Sequence, residues 1–250
     1  MKRLLLATTC AVASAALSTP ALAEGVAARL GGDFGNVAGT PYWDANGSVE
    51  LPINWSDLSI QGDLGAAGAG GVHTFNGGGS LIWNGMPNLR FAGTVMYNQF
   101  TFGGPHIDET QFGVGGEWYA NPWLTFGVQG GGVAGTFGGG YVGGTIKGYV
   151  MPNLSLSGNV NYIGLDSTPS AHETQWGANA EWLVSEEFPV SLNASYQHEE
   201  FTISGFGTGH GDLWTVGLKL YLNDTPARTL VDRNRTGTLD TIGAPLQVKF

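Results

Sequence analysis

Apolar and polar residues alternate along most of this chain with a period of two, the period of a strand whose two faces meet different surroundings. The clearest stretch is 213–222, where Trp214, Val216, Leu218, Leu220 and Leu222 share one side and Thr215, Gly217, Lys219 and Tyr221 the other. Leu154, Leu156, Val160 and Tyr162 alternate with Ser155, Ser157, Asn159 and Asn161. Trp176, Ala178, Ala180 and Trp182 oppose Gln175, Gly177, Asn179 and Glu181. Val190, Leu192, Ala194 and Tyr196 oppose Ser191, Asn193, Ser195 and Gln197, and Leu89, Phe91, Val95 and Tyr97 oppose Arg90, Ala92, Thr94 and Asn98.

Five short turns punctuate these segments: Asn54-Trp55-Ser56-Asp57, Asn84-Gly85-Met86-Pro87-Asn88, Ala120-Asn121-Pro122, Met151-Pro152-Asn153 and Ser185-Glu186-Glu187-Phe188-Pro189. Each carries Asn, Pro, Gly or Ser, residues that make turns. They recur every thirty-odd residues, roughly one hairpin per repeat. Between them lie glycine-rich or acidic segments such as 103–107, 166–171 and 204–211. With a first strand near 26–37, the pattern predicts six strands running up and six running down.

Composition says what the apolar face meets. Charged residues are 12% of the chain, about half the roughly 25% of an ordinary soluble domain. A soluble sandwich would also alternate, but its wet face would be rich in Lys and Glu; here that face carries Gly, Ser, Asn and Gln. Past residue 23 no apolar run approaches the roughly 20 residues of a spanning helix. A membrane chain without such runs can satisfy its backbone only as a closed barrel. The 42 glycines have no three-residue period and sit among Trp, Phe and Val, which excludes a collagen or linker reading. Aromatic residues gather at strand ends: Trp55, Trp83, Trp118, Trp123, Tyr149 and Trp182 beside the short turns, and Trp43, Phe102, Phe137, Tyr141, Trp176, Phe201 and Trp214 beside the opposite loops. Two such rows are the girdles expected at two membrane–water interfaces. The expected fold is all-β: a transmembrane antiparallel up-and-down β-barrel of about 12 strands, 10 to 12 fitting the pattern.

The first residues read as an export signal. Lys2 and Arg3 precede the apolar stretch 4–17, and Ala21-Leu22-Ala23 is a small-residue cleavage pattern. The expected division is a signal peptide at 1–23, a barrel at 24–222 and a polar periplasmic tail at 223–250. Cys10, the one cysteine, falls in the signal segment, so the mature chain offers neither a disulfide nor a thiolate.

The run Gly217-Leu218-Lys219-Leu220-Tyr221-Leu222 resembles the closing strand of Gram-negative outer-membrane β-barrel proteins of porin-like type, in which a glycine precedes apolar residues on the lipid face. The resemblance implies that Gly217, Leu220 and Leu222 form a signal to the barrel-assembly machinery. It also implies outer-membrane lipid and lipopolysaccharide as surroundings. In that family the strand usually ends the protein, whereas here residues 223–250 follow. Terminal Leu246, Val248 and Phe250 imitate the signal, but Gly243 and Pro245 leave that stretch too short to span.

Catalytic patterns are lacking. No histidine is followed by serine at the spacing of a barrel phospholipase, and there is neither a Gly-x-Ser-x-Gly elbow nor a His-Glu-x-x-His. Gly130-x-Gly132-x-x-Gly135 imitates a dinucleotide fingerprint but leads into a strand and not a helix. An embedded hydrolase is thus the last of the readings, and neither a cofactor nor a nucleic-acid partner is expected.

Two features suggest other chemistry. All five histidines fall on the loop side, and His106, His172, His198 and His210 each have an acid within two positions. Imidazole and carboxylate together suit Zn²⁺, Cu²⁺ or Ni²⁺, so these four are candidate ligands at an outer mouth; solvated loop side chains are the plainer alternative. The alternation also turns Glu50, Asp63, Arg90, Glu117, Lys147, Glu181 and Lys219 inward, a mixed-sign lining that can be a solute path or an ion-paired plug. Inward Gly113, Gly115, Gly127, Gly143, Gly177 and Gly217 favour a narrow wet lumen, because small barrels are otherwise filled by side chains. Removing the signal takes away two bases and no acid, so the formal charge of −10 falls by a further two, and acidic mouths favour cations. The expected function is a passive pore for ions or small polar solutes, mildly cation-preferring. A structural or surface-binding barrel with a closed lumen stands as the alternative.

Overall fold

The computed structural model describes residues 26–53, 56–104, 106–166, 170–185, 187, 189–223 and 229–239. The export segment with Cys10, the Asn54-Trp55 part of the first short turn and the final stretch 240–250 lie outside the described residues.

Twelve antiparallel strands follow one another in sequence order and close into a barrel: β1 (Ala27–Val37), β2 (Thr40–Pro52), β3 (Leu58–Ala69), β4 (Val72–Met86), β5 (Leu89–Phe102), β6 (His106–Asn121), β7 (Leu124–Gly135), β8 (Gly138–Met151), β9 (Leu154–Asp166), β10 (Ala171–Leu183), β11 (Val190–Ile203) and β12 (Gly207–Asn223). The seam is complete, with Ala27 opposite Asn223 and Val37 opposite Leu213, so neither end of the sheet presents an unpaired edge to lipid. An even strand number places both ends of the barrel sequence at one rim, together with the five short turns. We call this the terminal end and the other the far end.

Connections at the far end are as tight as those at the terminal end. Val37 and Thr40 are joined through Ala38 and Gly39, both at positive φ, and Ala69 and Val72 through Gly70 and Gly71, also both positive. Two consecutive left-handed residues make the turn whose twist matches a hairpin, which is why glycine recurs there. The glycine-rich segment 207–211, read from sequence as loop, is the start of β12.

The outward face is apolar from the terminal end through mid-strand and turns polar near the far rim. Phe34, Leu64, Val95, Val114, Val128, Val142, Val216 and Trp214 are all more than half exposed, as lipid-facing residues of a barrel should be. Trp83, Trp118 and Trp182 stand near the terminal end on this face, and Trp176 and Trp214 toward the far end. Tyr141 and Tyr149 differ from expectation. They share the parity of Lys147 on β8, point inward, and are buried, so they belong to the interior and not to the girdles.

An arginine at mid-strand on the outer face tests the orientation. Val114→Arg is expected to destabilise the barrel in lipid vesicles by about 2–4 kcal/mol, whereas Gln129→Lys, on the inward face, should cost far less. Urea unfolding followed by tryptophan fluorescence measures both.

Candidate functional site: the barrel interior and its mouths

The inward side chains sort into two zones along the barrel axis. Each of Glu50, Asp63, Arg90, Glu117, Lys147, Glu181 and Lys219 points inward, as do Arg29, Asp33, Asp44, Glu109, Glu173 and Glu199.

The terminal zone is held by two ion-paired networks. Arg90 Nη2 donates to both carboxylate oxygens of Glu50, at 2.7 and 2.8 Å, and its Nε donates to Asn84 Oδ1 at 2.7 Å. Ser59 completes the pair by donating to Glu50 at 2.6 Å. Across the barrel, Glu181 accepts from Lys219 Nζ at 3.1 Å, from Ser191 at 2.6 Å and from the Tyr221 hydroxyl at 2.5 Å. Asp63 accepts from Ser48 at 2.6 Å and Gln61 at 2.8 Å, and Glu117 from the Tyr119 hydroxyl at 2.9 Å. Burying an ion costs several kcal/mol unless its partners are well placed; these carboxylates have such partners, except that the second oxygen of Asp63 is buried without one.

The segment expected as a polar tail folds back against this zone. After Thr229, whose hydroxyl and Asp232 form a reciprocal cap, a short helix α1 (Leu230–Thr236) begins. Leu230 packs on Tyr149, Leu183 and Tyr221, inward residues of β8, β10 and β12. At the other end Leu239 packs on Ile82 and Ala92 of β4 and β5. Its backbone exchanges two hydrogen bonds with Gln61, N–H to Oε1 at 2.8 Å and C=O from Nε2 at 3.3 Å. Arg90 donates to the Gly237 carbonyl at 2.8 Å, and the Asn234 amide oxygen lies 3.2 Å from the Tyr221 hydroxyl. Arg235 lies over the Tyr119 and Tyr149 rings, 4.8 and 5.9 Å from their centroids. Residues 229–239 therefore run across the terminal mouth from one wall to the opposite one. The sequence hid this because the segment is polar and short, while the groups that receive it are scattered over seven strands.

The far zone is different. Phe100, Val133, Tyr141 and Ile163 form a buried cluster inside the barrel, joined by Ile107 and Leu165. A second cluster gathers Val37, Tyr42, Ala69 and Leu213. Glu109, Gln111 and Asn98 beside the first cluster are at most 4% exposed. By contrast, Asp33, Asp44, Gln197 and Glu199 keep partial exposure. Inward Gln129 on β7 and Asn159 and Asn161 on β9 are partly exposed as well, so accessible polar lining is found on both sides of the interior.

Several inward glycines are not open space. A side chain at Gly113 would meet the Tyr141 hydroxyl, at Gly143 the Asn161 amide, and at Gly217 the Asp33 carboxylate. Glycine lets neighbouring side chains lie across the wall, which makes the interior narrower than bare glycine positions suggest.

Charge is segregated along the axis. The four inward strand bases, Arg29, Arg90, Lys147 and Lys219, all lie within four positions of the terminal end, as the strand bounds show. Toward the far end the inward charged residues are acids: Asp33, Asp44, Glu109, Glu173 and Glu199.

The candidate metal ligands all stand on the outward face near the far end. His198 and His210 are neighbours, with ring centroids 6.2 Å apart. His106, 3.5 Å from Asp108, lies on β6, and His172 stacks on Tyr162 of β9. Gly217 faces inward on β12, and Leu220 and Leu222 face outward beside β1.

A closed twelve-stranded up-and-down barrel with an apolar exterior and a polar, charged interior defines the class: this chain has the porin-like fold of outer-membrane β-barrels. Among solved structures, it is similar to the NanC porin at a TM-score of 0.57 with 8% identity, covering 76% of this chain and 98% of that one. The COG4313 outer membrane channel from Pseudomonas putida F1 matches at 0.53 with 9% identity, over 82% and 98%. The KdgM porin, in complex with disordered oligogalacturonate, matches at 0.50 with 7% identity, over 77% and 98%. No protein-family model and no curated protein matches the chain.

Removing one partner of the buried pair should be far worse than replacing both. Arg90→Ala is expected to cost about 3–5 kcal/mol by stranding Glu50, and the Glu50→Gln/Arg90→Met double variant should recover most of it. Thermal and urea unfolding of the refolded barrels supply the comparison.

Proposed function

We propose that this chain is an outer-membrane channel of porin type, narrow and cation-preferring, whose own C-terminal segment covers its periplasmic mouth. On this reading residues 1–23 direct export and are removed, the terminal end faces the periplasm, and the outer face lies in lipid and lipopolysaccharide. Gly217, Leu220 and Leu222 present the closing strand to the barrel-assembly machinery. No chemistry occurs; the wall sorts solutes by size and charge.

The observation that carries the proposal is the axial segregation of lumen charge. A solute entering from the far end first meets Asp33, Asp44 and Glu199, which keep partial exposure and stand nearer the far rim than any inward strand base. Low-dielectric walls focus such a field, so cations concentrate at the entrance and anions are repelled. Oligogalacturonate, held by the KdgM porin, is polyanionic, and an acids-only entrance is unsuited to it. Small inorganic or organic cations fit the lining better.

A sealed structural barrel is the second reading, favoured by the buried far-end cluster and by residues 229–239 across the other mouth. The two readings separate on conductance in planar bilayers under a salt gradient. The full-length barrel is expected to show small steps with a cation-directed reversal potential. Loosening the covering segment with Leu239→Asp, or ending the chain at residue 223, should raise the conductance severalfold. Asp33→Asn/Asp44→Asn/Glu199→Gln should move the reversal potential toward zero. A shortened barrel that resists heat unfolding yet conducts nothing would sink the pore reading and leave the sealed one.

A further inference from the structure

The far ends of β11 and β12 bring four potential metal donors onto one small patch of the outer face. His198 and Glu200 are two positions apart on β11, and His210 and Asp212 two apart on β12. Their register pairs His198 with Asp212 and Glu200 with His210. All four share the parity of outward Leu192 on β11 and Trp214 on β12, so they form a two-by-two block on the exterior, at the level of the outer aromatic row.

The block is already partly organised. Asp212 Oδ1 lies 2.8 Å from His198 Nδ1 and accepts from the Tyr196 hydroxyl at 2.7 Å. A carboxylate held against one ring nitrogen is the usual support of a metal-binding histidine, because it fixes the tautomer and leaves Nε2 to the ion. Trp176 packs against the same ring at a centroid distance of 5.2 Å and limits its rotation. His210 stacks beside it with an interplanar angle of 23°. A tetrahedral Zn²⁺ with nitrogens at ~2.0–2.1 Å holds two imidazole centroids about 5 Å apart, close to the 6.2 Å separation seen here. Among the described residues no three such side chains converge on one point. His210 and Glu200, the two that must turn toward His198 to close the site, are both exposed.

We propose that His198, His210 and Glu200 form a surface site for a borderline divalent cation, Zn²⁺ first, with Asp212 as the positioning residue behind His198. Two neutral imidazoles and a carboxylate suit Zn²⁺ better than Ca²⁺ or Mg²⁺, which prefer all-oxygen shells. The bound ion ties the far ends of β11 and β12 together on the side opposite the lumen, so the proposal stands apart from the pore reading.

The test is calorimetric titration of the refolded full-length barrel with Zn²⁺ alone, at pH 7.5 and again at pH 5.5. One equivalent should bind at the higher pH and weaken at least tenfold at the lower one, where free histidine is mostly protonated. His198→Ala/His210→Ala should lose that equivalent. Asp212→Asn should weaken it severalfold while the barrel stays heat-resistant, and His106→Ala/His172→Ala should leave it unchanged. Stoichiometric binding that survives in the His198→Ala/His210→Ala variant, or no binding by the parent barrel, overturns the proposal.

Discussion

Everything in this molecule depends on the seam between β1 and β12. In hydrocarbon an unpaired N–H or C=O has no water to turn to, and each such group costs several kcal/mol. Eleven facing pairs from Ala27–Asn223 to Val37–Leu213 remove that cost at once. Closure then fixes the rest: strand parity becomes a division between lipid and lumen, both ends of the barrel sequence share a rim, and the tail that follows β12 begins beside the mouth it covers.

The interior shows how a narrow barrel handles charge. Arg90 and Glu50, and Lys219 and Glu181, are pairs set deep at one end, each completed by a hydroxyl from Ser59 or Ser191. These pairs largely neutralise each other. The far-end acids have no inward strand base at their level, so the field of the lumen is set there and not by the more numerous charges near the terminal end. Net charge alone says nothing of where along the axis the charge lies; the strand bounds place the inward bases at one end and acids alone toward the other.

Much of this was legible in the sequence. Period-two alternation assigned the inward face, because a strand buried on neither side by protein has only two environments to choose between, and the five Asn/Pro turns marked the hairpins. What alternation could not show was how that inward face is occupied. Phe100, Val133 and Ile163 share the parity of polar neighbours, and only the assembled barrel reveals that they meet one another. Tyr141 and Tyr149 resemble girdle residues because they are aromatic and near strand ends, yet the parity of Lys147 places them inside. The covering segment was illegible for another reason. Gln61, Arg90, Tyr119, Tyr149 and Tyr221, which receive it, lie on separate strands, and no local pattern links them.

That segment also imposes an order on assembly. Its two anchor points, around Leu230 and Leu239, sit on opposite walls, and the distance between them is set by the circumference of the finished barrel. A sheet that has not yet closed, or that has closed with a strand missing, offers the two walls at the wrong separation. Docking of residues 229–239 therefore depends on strand number: the segment that follows β12 reaches both of its anchor points only on a barrel of the right girth.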